Sequence, residues 1–207
     1  MLPFKVADFP EGTVLVGGAI RDILLSRLDK KLDLDFVIPD SAIAFCMELT
    51  NKISGTLVIL DKKRDIARLI IDQWRIDFAS RIGQTIEDDL VRRDFTINAI
   101  AVSLDDSPML YDPTGGLRDL TNKRIKVVSE NNIVDDPLRI LRGIRLVSEL
   151  SFGLDRSSKD LFKKYAHLLK TISKERIREE ILKLVQGGNA DIASSIINKN
   201  NLLGSLR

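Results

Sequence analysis

Residues 31–40 read KLDLDFVIPD. Leu32, Leu34 and Phe36 alternate with Asp33 and Asp35, and a period of two is the mark of a strand with one apolar and one polar face. The two aspartates therefore project to the same side. At about 6 Å and an effective dielectric of about 20 their repulsion is on the order of 3 kcal/mol, which something must offset. A divalent cation is one candidate.

Outward from that strand, short apolar runs alternate with helical patterns. TVLVGGA (13–19) and AIRDILLSRL (19–28) precede it, and SAIAFCMELTNKI (41–53), TLVIL (56–60), IARLIID (66–72), WRIDFAS (74–80) and INAIAVSL (97–104) follow. Short strands joined by such helices predict an α+β fold, a mixed sheet with helices packed against it. From about Val134 the spacing becomes helical throughout: Leu138, Leu141 and Ile144; Leu161, Tyr165, Leu168 and Ile172; Ile177, Ile181, Leu184 and Val185. The polar stretch VSENNIVDDP (128–137) is the linker candidate, so a sheet domain is expected over 1–130 and an all-helical one over 131–207. Leu202, Leu203 and Leu206, at the chain's end, have no following element to pack against. Truncation of a longer protein and an oligomer contact would each explain them.

The 207 residues carry a net charge of +2, so any contact with nucleic acid must come from local clusters of Lys and Arg. One cysteine, Cys46, and one histidine, His167, exclude an internal disulfide and a Cys/His zinc site. Metal chemistry here has to use oxygen ligands. Neither a secretion signal nor an apolar run of membrane-spanning length is present, which makes a cytoplasmic, reducing setting the expectation, with no membrane partner.

Five segments bear on the chemistry. In VLVGGAIRD (14–22), a strand, a glycine pair and a helix start would let a polyphosphate approach the backbone at Gly17 and Gly18, with Arg21 adding a cation; a simple turn has the same appearance. In WRIDFAS, Asp77 lies on the polar side of a second strand. Asp33, Asp35 and Asp77 together could hold two Mg2+ ions, which prefer hard oxygen ligands, phosphates and water; a solvated strand edge is the plainer explanation. In EDDLVRRDFTINAIAVSL (87–104), Arg92, Arg93, Asp94 and Asn98 gather charged donors with an acceptor suited to a ribose. Gly115 and Gly116, in YDPTGGLRDL, read as a hairpin-like turn between two strands.

The last cluster is DDPLRILRGIR (135–145). Asp135 or Asp136 as N-cap with Pro137 as first helical residue explains the start of a helix. It leaves Arg139, Arg142 and Arg145 unexplained, a cationic stripe winding round that helix. An aspartate accepts from an exocyclic amino group while an arginine donates to a ring nitrogen or carbonyl, so the pair could read the Watson–Crick edge of cytosine or adenine.

In sequence and in order, GGAIRD, DLD, RRDFTINAIA, DPTGGLRDL, DDPLRILRGIR and SKERIREEILKL resemble the motifs of class II tRNA nucleotidyltransferases, the CCA-adding family with polymerase β-like heads. The match runs from about Val14 to Val185. The resemblance implies a Mg2+-dependent nucleotidyltransferase head followed by a helical neck. Asp33 and Asp35 would then be the metal-binding and catalytic pair, with Asp77 the third carboxylate. Gly18 and Arg21 would hold the triphosphate region, Arg93 and Asp94 would contact nucleotide with the ribose as Asp94's target, Asp136 and Arg139 would read the incoming base, and Arg142 and Arg145 would line the nucleotide pocket. The expected partners are CTP, ATP and the 3' end of tRNA.

Three departures qualify the match. The base-reading motif starts Asp135–Asp136 where Glu-Asp is usual. The stretch between Asp77 and EDDL is short, and a loop there bears on addition of the last adenosine, so CCA, CC and A addition all stay open. The body and tail that grip the tRNA elbow would lie beyond Arg207. Bacterial poly(A) polymerase is the second reading within the family, and a non-catalytic nucleotide- or RNA-binding remnant the reading outside it.

Overall fold

The computed structural model describes residues 5–27 and 33–187. Leu32 and the closing leucines at 202, 203 and 206 lie outside them. The chain runs β1 (Val14–Val16), α1 (Gly18–Leu24), β2 (Asp33–Ile38), α2 (Ala42–Lys52), β3 (Thr56–Asp61), β4 (Ile66–Ile71), β5 (Trp74–Ser80), α3 (Ile86–Leu90), β6 (Ala101–Ser103) and β7 (Leu110–Tyr111). It continues through α4 (Gly116–Thr121), β8 (Arg124–Ile125), α5 (Glu130–Asp135), α6 (Arg139–Leu150), β9 (Gly153–Leu154), α7 (Arg156–Tyr165) and α8 (Lys174–Gly187). Two compact units result: one made of the chain up to Val91 plus Asn98–Thr114, the other of Arg92–Ile97 plus everything from Gly115 onward.

The first unit is built on a mixed seven-stranded sheet in the order β3-β4-β5-β2-β1-β6-β7, the expected α+β architecture. β2 and β5 run parallel and the remaining pairs antiparallel. A parallel pair needs a crossover, and α2 with the β3–β4 hairpin supplies it. Leu34, Phe36 and Ile38 of β2 fall on one face with Ile76 and Phe78 of β5 and Ala67, Leu69 and Ile71 of β4, and that face buries Ala42, Cys46 and Leu49 of α2. Phe36 stacks on Phe78 at 5.5 Å. Each such side chain contributes about 1.5–3 kcal/mol on burial, so this face is fixed as the covered one. The opposite face carries Asp33, Asp35 and Asp77 beside the buried Val14, Val16 and Val37.

The start of α2 is capped from two directions. Ser41 Oγ accepts from the Ala44 N–H at 3.3 Å. Asp65, in the β3–β4 turn, accepts from the N–H groups of Ala42 and Ile43 at 3.1 and 3.0 Å and from Ser80 Oγ at 2.5 Å.

In the second unit the expected helices are present, and a short parallel ladder of β8 with β9 accompanies them. Phe95 and Phe162 meet edge to face at 6.4 Å over Gly143, where a Cβ would come within 2.5 Å of the Phe162 ring. Close approach is what requires glycine there.

Three local readings of the sequence change. INAIAVSL is not one strand: Thr96–Asn98 forms a 3-10 turn and only Ala101–Ser103 joins the sheet. Thr96 is held elsewhere, its N–H on the Lys126 carbonyl and its hydroxyl on Asp119. The Gly115–Gly116 turn is no hairpin, because β7 and β8 belong to different sheets; Gly115, at φ +76°, starts α4. Asp136 does not cap α6 with its side chain: it closes α5, and Leu138 precedes α6 without a side-chain cap.

Candidate active site

Strand register places the acidic side chains. Asp35 pairs with Asp77 across β2 and β5, Asp33 pairs with Arg75, and Asp77 pairs on its other side with Arg68 of β4. Register partners share a face, so Arg68, Asp77 and Asp35 form one row, with Asp33 two residues along β2. Asp33 is exposed; Asp35 and Asp77 are half-buried. Arg68 grips Asp77 with a two-pronged pair, Nε to Oδ1 at 2.6 Å and Nη2 to Oδ2 at 2.8 Å. Those hydrogen bonds, and the negative charge of Asp77, Asp33 and Asp35, hold the guanidinium even more firmly protonated than usual.

Hard carboxylate oxygens on one face, without sulfur or imidazole, are a donor set that fits Mg2+. Among the described residues, however, no three His, Cys, Asp or Glu side chains converge tightly enough to hold one ion. Asp77 has both oxygens on Arg68. Sequence reading missed this arginine, whose only local signal is its place on the polar side of IARLIID.

At the glycine pair, Gly17 adopts φ +78° and its N–H donates to the Ile100 carbonyl at 3.3 Å. Gly18 opens α1. One turn on, Arg21 is buried, its Nε and Nη2 on the Asp22 carboxylate and its Nη1 on Asn98 Oδ1, each at 2.9 Å. Two predicted site residues 77 positions apart, Arg21 and Asn98, thus meet directly.

The second unit collects the remaining ones. Asp94 is buried and accepts from Arg142 Nη1 at 3.1 Å and from the Phe95 N–H at 2.8 Å. The charge of Asp94 keeps Arg142 protonated beyond its ordinary range. Arg93 offers its carbonyl to Asn132 Nδ2 at 2.7 Å. Arg139 donates to the Arg92 carbonyl at 2.8 Å, and burial lowers its pKa against the pull of Asp94 and Asp136. Asp136 accepts from Arg176 Nη2 at 3.0 and 3.3 Å.

Arg145 goes another way: its Nε meets Glu180 at 2.5 Å and its Nη1 Glu149 at 2.7 Å, which ties α6 to α8. Arg176 and Glu180 were not foreseen as partners. Their spacing of four places them on one side of α8, and that was the available signal.

The arrangement therefore offers an acidic sheet face beside a glycine-started helix and, in the other unit, an aspartate and arginines suited to a nucleobase edge. The family model described as "Poly A polymerase head domain" matches residues 13–126, and that described as "Probable RNA and SrmB- binding site of polymerase A" matches residues 151–206. A CC-adding tRNA nucleotidyltransferase of Synechocystis sp. is 40% identical over 179 residues, covering 86% of this chain and 43% of the relative. An A-adding tRNA nucleotidyltransferase of Deinococcus radiodurans is 38% identical over 187 residues, 88% of this chain and 42% of its own length. The Thermotoga maritima CCA-adding enzyme complexed with tRNA superposes with a TM-score of 0.84 at 33% identity, over 93% of this chain and 47% of that one. The chain thus spans less than half the length of these relatives.

Proposed function

Since the chain belongs to the class II tRNA nucleotidyltransferase family, we propose that it adds CMP, AMP or both, from CTP and ATP, to the 3' end of tRNA. The observation that carries this reading is the register that sets Asp33, Asp35 and Asp77 together on the face of the sheet turned away from α2.

In the proposed reaction the 3' hydroxyl of the tRNA attacks the α-phosphorus in line and pyrophosphate leaves, with no covalent enzyme intermediate. Asp33 and Asp35, with Asp77 as third carboxylate, would hold Mg2+, which supplies a lowered hydroxyl pKa and charge for the leaving oxygens. The start of α1 at Gly17 and Gly18 accommodates phosphate oxygens, and Arg21, held rigid by Asp22 and Asn98, adds fixed positive charge. Asp94 serves the ribose, kept in place by Arg142. Arg93 is a nucleotide contact by family analogy. Asp136 accepts the exocyclic amine of cytosine or adenine and Arg139 donates to the ring, so the protein itself stands in for a template. Arg145 supports that helix through Glu180. The lone, buried Cys46 suits a cytoplasmic, reducing compartment; among the described residues no helix is long and apolar enough to cross a membrane.

The test is to sequence the 3' ends made from tRNAs lacking one, two or three terminal nucleotides, with CTP and ATP supplied singly and together. Short products ending in C or A are expected. Long A tails without C would favour a poly(A) polymerase, and no incorporation at high RNA concentration a non-catalytic binding remnant.

A further inference from the structure

The sheet face that carries Asp33, Asp35 and Asp77 also carries a fixed cation. Arg68 stands in the same cross-strand row as Asp77 and Asp35, and both of its prongs close on Asp77, at 2.6 and 2.8 Å. A carboxylate so engaged has given each oxygen to a guanidinium N–H, the geometry that matches arginine to carboxylate best. Arg75, the register partner of Asp33, is exposed, so its charge is spread into solvent. Arg68 is only about one-third exposed and sits between strands, where its charge is screened less.

We propose that Arg68 is the built-in counter-cation of this face: in the nucleotide-free protein it keeps Asp77 out of metal coordination and weakens the affinity of the face for divalent cations. Tight metal binding then waits for the phosphates of an arriving nucleotide, which bring the negative charge that Arg68 cancels. This rests on the reading of Asp33 and Asp35 as metal ligands. One observation supports it besides the row itself: both oxygens of Asp77 accept from Arg68, which leaves neither turned to Asp33 or Asp35 as a free ligand. A purely structural ion pair joining β4 to β5 would change stability when broken and leave metal affinity alone.

The experiment is Mn2+ binding to the nucleotide-free full chain, read by electron paramagnetic resonance, with far-ultraviolet circular dichroism to confirm folding. Arg68→Gln and Arg68→Met, which remove the charge, should bind Mn2+ about tenfold more tightly than wild type, after discounting the Coulomb effect for partial exposure. Arg68→Lys, which keeps the charge, should stay within about threefold. The double variant Arg68→Gln/Asp77→Asn keeps the net charge of the face and can keep a hydrogen bond between the two amides. It should also bind within about threefold of wild type, because Asp77 contributes no ligand. Unchanged or weaker binding in the neutral single variants overturns the proposal, and so does a loss beyond tenfold in the double variant, which decides the matter should the singles not fold. Asp33→Asn separates the two readings: if it abolishes Mn2+ binding while the Arg68 variants change nothing, only the counter-cation fails. If no variant shows Mn2+ binding that depends on Asp33, the metal reading falls with it.

Discussion

Asp33 is the exposed member of the acidic set and has no buried packing role, so its removal should separate chemistry from folding. Asp33→Ala is expected to lower nucleotide incorporation by about a thousandfold, the equivalent of roughly 4 kcal/mol of lost charge stabilisation. The thermal midpoint should hold or rise slightly as repulsion with Asp35 is relieved; quenched-flow incorporation assays and a melt measure the two effects. Gly143→Ala is the opposite kind of change. Its Cβ would lie 2.5 Å from the Phe162 ring and 2.8 Å from Phe95, so a loss of about 1–3 kcal/mol is expected in a urea titration. The acidic pair was legible in the sequence because alternation is a local property. Arg68 was not, because its partner is chosen by the register of β4 on β5, which no short stretch of sequence encodes.

Among the elements, α2 is held by a residue outside it. Burial resists ionisation of Asp65, but hydrogen bonds from Ser80, Ile43, Ser41 and Ala42 outweigh it and keep the carboxyl below its usual range. A depressed folded pKa contributes stability above the unfolded value of about 3.9 and loses it as pH falls through the folded value. Asp65→Asn should therefore cost about 1–2 kcal/mol at pH 7 and flatten the fall in stability below about pH 4, as chemical denaturation at acid pH would show. In α6 the spacing of Arg139, Arg142 and Arg145 was readable, and the three destinations were not. Arg145→Met leaves Glu180, 3% exposed, without its partner, and is expected to destabilise the protein by about 3 kcal/mol. Equilibrium unfolding would read it. The strand order was legible only as a mixed sheet. The turn at Thr96–Asn98 hid inside an apolar run because Asp119 and Lys126, which hold it, lie more than twenty residues away.

For the molecule as a whole, a net charge of +2 over these 207 residues predicts few phosphate contacts with the proposed tRNA substrate. With about three such contacts, tRNA affinity should fall roughly 20- to 40-fold between 50 and 200 mM salt, a slope filter binding can measure. Family membership was legible because the motifs keep their order. The division of the chain was not, since it follows contacts rather than composition: residues 92–97 leave the first unit and the backbone returns at Asn98. That detour bears on protein engineering. A fragment trimmed after Thr114 retains Phe95 and Ile97, both fully buried in the intact chain, yet discards Val127 and Phe162, against which Phe95 rests. Such a piece should clump in solution, and a soluble fragment of the sheet unit calls for splicing out the six-residue excursion rather than choosing a stop codon.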